Sequence, residues 1–296
     1  MKYKRIMSMI SAGIMTLSMI SCSSNNSEEK SIAVGTGEEV VVATSVAVTE
    51  ILDALGVKVS GVPTTSYELP ENTEGAVEIG NPMSPDLEII KSLNPTVVVS
   101  VDTLGSDYMN LFTENNIPSE FVSLESLDGL KETIITLGER FEKNDEAKAL
   151  IEEIEGKELE VKEKAEALED TEVLVLFAAP GSTMIATSKS YIGSLVEIVG
   201  GKNIIEDNST SFTTYNKEDL SMLNPDKILV MVHALPEETK AALESEMASD
   251  VAWQNINAVK EGNVIYLDNE YFGMSANLKV IEGLDMLSDI VHGIGE

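Results

Sequence analysis

The chain has 296 residues with 20 basic and 51 acidic side chains, a formal net charge of -31. That balance excludes the basic footprint that nucleic acid requires, and adhesion to an anionic membrane by charge alone. A single cysteine cannot close an internal disulfide, and two histidines cannot supply the three-His or Cys-rich shell of a tight zinc site.

The N-terminus carries Lys2, Lys4 and Arg5, then an uncharged apolar run from Ile6 to Ile20. The run is shorter than the ~20 residues of a transmembrane helix. Basic start, apolar middle and small-residue end make residues 1–21 a predicted secretory signal. Its end, Met19-Ile20-Ser21-Cys22, resembles a bacterial lipobox, with Met19 where Leu is usual. The resemblance implies lipidation of Cys22 and residence on the outer face of the cell membrane. Residues 22–39, rich in Ser, Asn, Gly and Glu, read as a flexible tether.

The remaining residues are enough for two lobes of ordinary size. Val40 to Ala43 reads as a short buried strand, and Ser45 as the cap of a helix from Val46 to Leu55. Val57 to Val62 reads as a second strand, followed by turn residues Pro63, Thr64, Thr65, Ser66, Pro70 and Gly75. Ser84-Pro85 has the form of a helix start, with Ser as cap and Pro at the first helical position. Thr96 to Val101, nearly all β-branched, predicts a third buried strand. A helical pattern runs from Leu127 to Leu168 with a break near Asn144. Its second part has Ala147, Leu150, Ile151 and Ile154 on one face and charge on the other. Strands follow at Val173 to Phe177, Ile228 to Val232 and Val264 to Leu267, with helices at Tyr191 to Val199 and Leu278 to Ile290. The alternation predicts an α/β fold of two Rossmann-like lobes, each with a mostly parallel sheet, bridged by one long helix. The expected boundaries are 40–142 for the first lobe, 143–170 for the bridging helix and 171–296 for the second lobe.

An internal repeat supports two similar lobes. Leu93-Asn94-Pro95 and Leu223-Asn224-Pro225 lie 130 residues apart, counted from Leu93 to Leu223, and each precedes a buried strand. Ligands of open parallel sheets bind outside the carboxyl ends of strands, and His233 stands where Ile228 to Val232 ends. A lone histidine is more often structural than a ligand. His292, near the C-terminus, is expected to be solvated. Met83 lies between two prolines in Gly80-Asn81-Pro82-Met83-Ser84-Pro85, where a rigid loop can present a thioether to a borderline metal. Met with His is one of the axial pairs that hold heme iron.

Several runs together resemble the IsdE-type heme-binding lipoproteins. They are Ala43-Thr-Ser-Val-Ala-Val-Thr-Glu50, Gly80-Asn-Pro-Met-Ser-Pro85, Ala186-Thr-Ser-Lys-Ser-Tyr-Ile-Gly193, Met231-Val-His-Ala-Leu-Pro-Glu-Glu238, Trp253-Gln-Asn-Ile-Asn-Ala-Val-Lys260 and Phe272-Gly-Met-Ser-Ala-Asn-Leu278. The resemblance covers the chain from about residue 40 onward. It implies the substrate-binding component of a heme ABC importer, carrying heme b as cargo between axial ligands Met83 and His233. Two protein ligands leave no open iron position, which suits carriage rather than catalysis. The propionates then call for backbone N–H donors at a helix start. Thr44, Ser45 and Val46 are the candidates, with Thr64, Thr65 and Tyr67 on the same edge. The resemblance further implies a permease partner, met by Glu88 and Glu218, one on each lobe, and surface heme donors upstream. A monomer is expected.

The same fold serves ferric siderophore and corrinoid carriers, so these are the alternative cargo. Siderophore sites favour Arg and aromatic side chains, of which this chain has few. An enzyme is not expected, because there is no Gly-x-Ser-x-Gly elbow and no Cys–His pair. If Met83 and His233 are not the ligands, Tyr67, Tyr215 and Met274 are the substitutes.

Overall fold

A computed structural model describes residues 39–205, 209–216 and 222–294. Cys22, Glu218 and the signal lie outside the described residues.

Strands β1 (Val41–Ala43), β2 (Val59–Val62), β3 (Val77–Glu78), β6 (Val97–Val101) and β7 (Ser119–Val122) form one sheet in the order β3-β2-β1-β6-β7, with every pairing parallel. All five residues of β6 are buried, as expected of a β-branched strand covered on both faces. The chain runs outward from β1 through β2 to β3 and then returns to place β6 on the other side of β1. This reversal opens a crevice at the carboxyl ends of β1 and β6.

The second sheet is built on β8 (Thr171–Ala179). On one side it pairs in parallel with β12 (Lys227–Val232), which pairs in parallel with β13 (Val264–Tyr266). On the other side its first residues pair in parallel with β10 (Gly201–Asn203). Its last residues fold back antiparallel onto β9 (Ser182–Ala186), which pairs with β11 (Phe212–Thr213). The repeat is structural: β6 begins at Val97 and β12 at Lys227, the same 130-residue offset, and each lies beside the central strand of its sheet.

Helix α1 (Val46–Ala54) starts at Ser45, whose Oγ accepts from Val48 N at 3.3 Å. The expected helix start at Ser84-Pro85 is a correction. Those residues are β5 (Ser84–Pro85), paired antiparallel with β4 (Gly80–Asn81) in a tight hairpin around Pro82-Met83. Helix α2 (Leu87–Ser92) begins after it, capped by Asp86, whose Oδ1 accepts from Glu88 N and Ile89 N at 2.9 and 3.1 Å. Asp86 wins because its carboxylate takes two helix N–H groups while Pro85 is held in the hairpin.

Helix α3 (Gly105–Glu114) follows β6. The long helical pattern divides into α4 (Leu127–Arg140) and α5 (Asn144–Ala165), with Glu142 at φ 57 in the break. Asp145 and Glu146 in the first turn of α5 and Lys162 and Lys164 in the last complement its dipole. Its 22 residues span about 33 Å. Ala147, Ile154 and Val161 form its buried stripe. Full burial of a side chain such as Ile154 contributes roughly 1.5–3 kcal/mol.

The second lobe adds α6 (Tyr191–Ile198), α7 (Pro236–Ser249), α8 (Val251–Asn255), α9 (Asn257–Glu261) and α10 (Val280–His292). One hydrophobic cluster runs through both lobes. It joins Val41, Val97 and Val99 of the first sheet, Ile154 and Val161 of α5, Val173, Val175 and Leu229 of the second sheet, and Leu284 and Leu287 of α10. His292 corrects another expectation. It is partly buried, with Nε2 2.7 Å from the carbonyl of Val199, because α10 packs its last turn against the end of α6.

Candidate functional site

Loops leaving the carboxyl ends of the two sheets meet. Ala276 N, in the segment that follows β13, donates to the carbonyl of Leu124, just past β7, at 2.8 Å. In the same region Lys279 faces Glu50 of α1. Burial pushes the Glu50 carboxyl up from the ordinary range; Lys279 pulls it down and Glu270 adds to the rise.

On the first lobe the candidate residues gather at one sheet edge. Thr44 follows β1 and is buried; its hydroxyl donates inward to Ser100 Oγ at 2.7 Å. Ser45 caps α1 by taking Val48 N, so what this corner offers a ligand is the first-turn N–H groups of Val46 and Ala47, which have no intrahelical partner. Thr64 N donates to the carbonyl of Gly80 at 2.9 Å, which sets the 63–67 loop beside the Met83 hairpin. Thr64 Oγ1 donates to Glu78 Oε2 at 2.9 Å, and Thr65 Oγ1 accepts from Tyr67 N at 3.1 Å. Tyr67 is exposed. Met83 stands at the hairpin tip with 66% of its surface exposed.

Glu88 lies in the first turn of α2, exposed and paired with Lys91. Met274 is exposed after β13, and Tyr215 packs edge-on against Trp253 at 5.9 Å.

On the second lobe His233 follows β12, and its N–H donates to the carbonyl of Ala178 in β8 at 2.7 Å. The imidazole is exposed and lies 5.6 Å from the Phe177 ring at an interplanar angle of 30°. Phe177 in turn packs against Phe212 at 5.1 Å. These two aromatics were not singled out from sequence; the signal for Phe177 was its place at the end of a predicted strand. Phe177, backed by Phe212, gives one side of the exposed imidazole an aromatic, apolar neighbour suited to a flat hydrophobic ligand.

A cleft of about 470 Å³ lies between the β8–β9 turn and α7, and His233 is not among its lining residues. Glu238 and Glu246 line it, which disfavours a carboxylate-bearing ligand there. Among the described residues no cluster of His, Cys, Asp and Glu could hold a bare metal ion. The edge with Met83 and the edge with His233 therefore offer separate single donors, one thioether and one imidazole.

A family model described as periplasmic binding protein matches residues 41–271. The chain is 35% identical over 292 residues to the high-affinity heme uptake system protein IsdE of Staphylococcus aureus, covering 98% of this chain and 97% of that protein. The crystal structure of S. aureus IsdE complexed with heme is similar with a TM-score of 0.83 at 35% identity, covering 86% of this chain and 100% of that one. An ABC transporter substrate-binding protein from Listeria monocytogenes EGD-e is similar to the same degree, with a TM-score of 0.83 at 34% identity over 87% of this chain and 100% of that one.

Proposed function

The chain belongs to the periplasmic binding protein family, and from that premise we propose that it captures heme outside the cell and delivers it to an ABC permease for iron acquisition. The observation that carries the reading is the pair of exposed donors, Met83 and His233, at the carboxyl edges of two sheets whose edge loops touch. The similarity to S. aureus IsdE and to its heme complex supports heme as the cargo.

Each lobe contributes one axial bond. Met83 supplies a neutral, soft thioether and His233 a neutral imidazole, so the iron is held without adding charge to the site. Phe177 and Phe212 give the porphyrin an apolar wall beside His233. The first-turn N–H groups of α1, with Ser45 and Val46, receive the propionates of heme b, and Thr64, Thr65 and Tyr67 flank them. The Thr44 hydroxyl is committed to Ser100 and acts from behind this edge. With both axial positions filled, oxygen has no place on the iron and the protein carries rather than transforms.

Cys22 carries the lipid that keeps the protein on the outer face of the membrane. Glu88 and Glu218, repeat-related positions of the two lobes, meet the permease. Reversing both charges abolishes heme import and leaves hemin binding unchanged; import at the normal rate would remove that role.

The cargo test is a hemin titration of the full-length protein in detergent. Uptake is one-to-one with a six-coordinate, low-spin spectrum, and Met83→Ala and His233→Ala each change it. Two unchanged spectra would refute the ligand pair and turn attention to Tyr67, Tyr215 and Met274. Binding of a ferric siderophore in place of hemin would refute the cargo.

A further inference from the structure

One peptide group in the hairpin is gripped at both of its polar ends. The Pro82 carbonyl accepts from the Tyr108 hydroxyl at 3.2 Å, and the Met83 N–H donates to Asn81 Oδ1 at 2.9 Å. Pro82 fixes its own φ through its ring, so little torsional freedom remains before the Met83 Cα. These contacts fix the peptide plane that leads into the Met83 Cα, and the pairing of Ser84 with Asn81 holds the chain on its other side.

The Tyr108 contact is the end of a longer series. Thr44 Oγ1 donates to Ser100 Oγ at 2.7 Å, and Ser100 Oγ donates to the Tyr108 oxygen at 3.3 Å. Tyr108 then donates to Pro82. Every hydroxyl donates toward the hairpin, and aligned hydrogen bonds polarise one another. Thr44 and Ser100 are buried and Tyr108 is only 7% exposed, so water has little access to the two bonds that lead up to the Tyr108 hydroxyl. The Tyr108 ring is wedged against Phe112 and Phe121 at 5.3 and 6.3 Å. The series crosses from the residue after β1 through β6 to α3 and terminates at the peptide group that carries the exposed Met83 side chain.

We propose that Tyr108 and Asn81 are positioning residues that aim the Met83 thioether, with Ser100 and Thr44 holding the Tyr108 hydroxyl. The inference rests on Met83 ligating the cargo iron. A flexible, unbranched side chain ligates weakly unless its base is fixed, because fixing must otherwise be done on binding. A hairpin bond of purely structural importance would affect stability alike with and without Met83. A positioning bond acts only through it.

The test uses full-length protein loaded with hemin. It reads the methionine-to-ferric-iron charge-transfer band in the near infrared and the rate of hemin release to a scavenger protein. Tyr108→Phe keeps the ring packing and removes only the donor. It is expected to diminish the band and to release hemin roughly fivefold faster. Asn81→Ala does the same, and Asn81→Asp, which keeps the acceptor oxygen, restores the band. In a Met83→Ala background Tyr108→Phe adds nothing to the release rate. An unaltered band and rate in Tyr108→Phe, or an effect that persists in the Met83→Ala background, would overturn the positioning role alone. A wild-type protein without the band, unaffected by Met83→Ala, would instead overturn the ligand reading and this inference with it.

Discussion

Replacing Ala234 with glycine separates what stabilises the apo fold from what aims His233. Ala234 and Leu235 follow the histidine with φ of 61 and 43, left-handed conformations that a side chain disfavours. Pro236 follows directly, and it resists helical backbone in the residue before it. The turn is held from α7: Thr239 Oγ1 donates to the Ala234 carbonyl at 3.0 Å and Thr239 N to the Leu235 carbonyl at 2.9 Å. A non-glycine residue in the left-handed region costs about 1–2 kcal/mol. Glycine removes that cost but gives up about 0.4–1 kcal/mol through the entropy of the unfolded chain. The net expectation for Ala234→Gly is a gain of roughly 0.5–1 kcal/mol, or about 1–4 °C in the apo melting temperature. Hemin affinity moves the other way, by roughly threefold to fivefold, because the backbone next to the imidazole is no longer fixed. Calorimetric melting of the apo protein and a hemin titration measure the two halves. A melting temperature lower by several degrees would refute strain in the turn. A stabilised variant with unchanged hemin affinity would refute the coupling of that strain to His233.

Two further outcomes follow from the same structure. Gly193 lies in α6 where an added Cβ would stand 1.9 Å from the Thr187 carbonyl oxygen and 2.9 Å from Ser190 Oγ. Gly193→Ala must push the helix off its cap, with an expected loss of about 3 kcal/mol or more, and a urea midpoint equal to that of the parent would contradict this packing. Glu50 has its carboxyl raised in the folded state by burial, so folding binds protons there and its ionisation opposes stability as pH rises through the raised value. Glu50→Gln is therefore more stable than the parent at neutral pH, and the difference closes as pH falls below the ordinary value of 4.5. A difference independent of pH in denaturant titrations would show that Glu50 is not desolvated.

Local chemistry determined a good deal. The buried strand before Asp102, the Ser45 and Ser190 caps and the glycine end of α6 are all encoded within a few residues of where they act. The paired Leu-Asn-Pro turns carried the two-lobed architecture, because a repeated helix–turn–strand pattern needs two sheets to bury its strands. The place of His233 at a strand end and of Met83 between two prolines was legible in the sequence, while their pairing as ligands came from the family resemblance. Sequence did not reveal that Ser84-Pro85 closes a hairpin, since Ser-Pro fits a helix start equally well and only the approach of Gly80 and Asn81 decides between them. It did not reveal that the Thr44 hydroxyl turns inward, that His292 bonds Val199, or that Phe177 lies beside His233. Nor did it show Tyr108 reaching Pro82 across 26 residues or Thr44 reaching Ser100 across 56. Such contacts are fixed by the order in which strands assemble and by which face of each element the assembled sheet leaves to its neighbours. That order is a property of the whole packed chain, so periodicity and capping within one segment carry no trace of it.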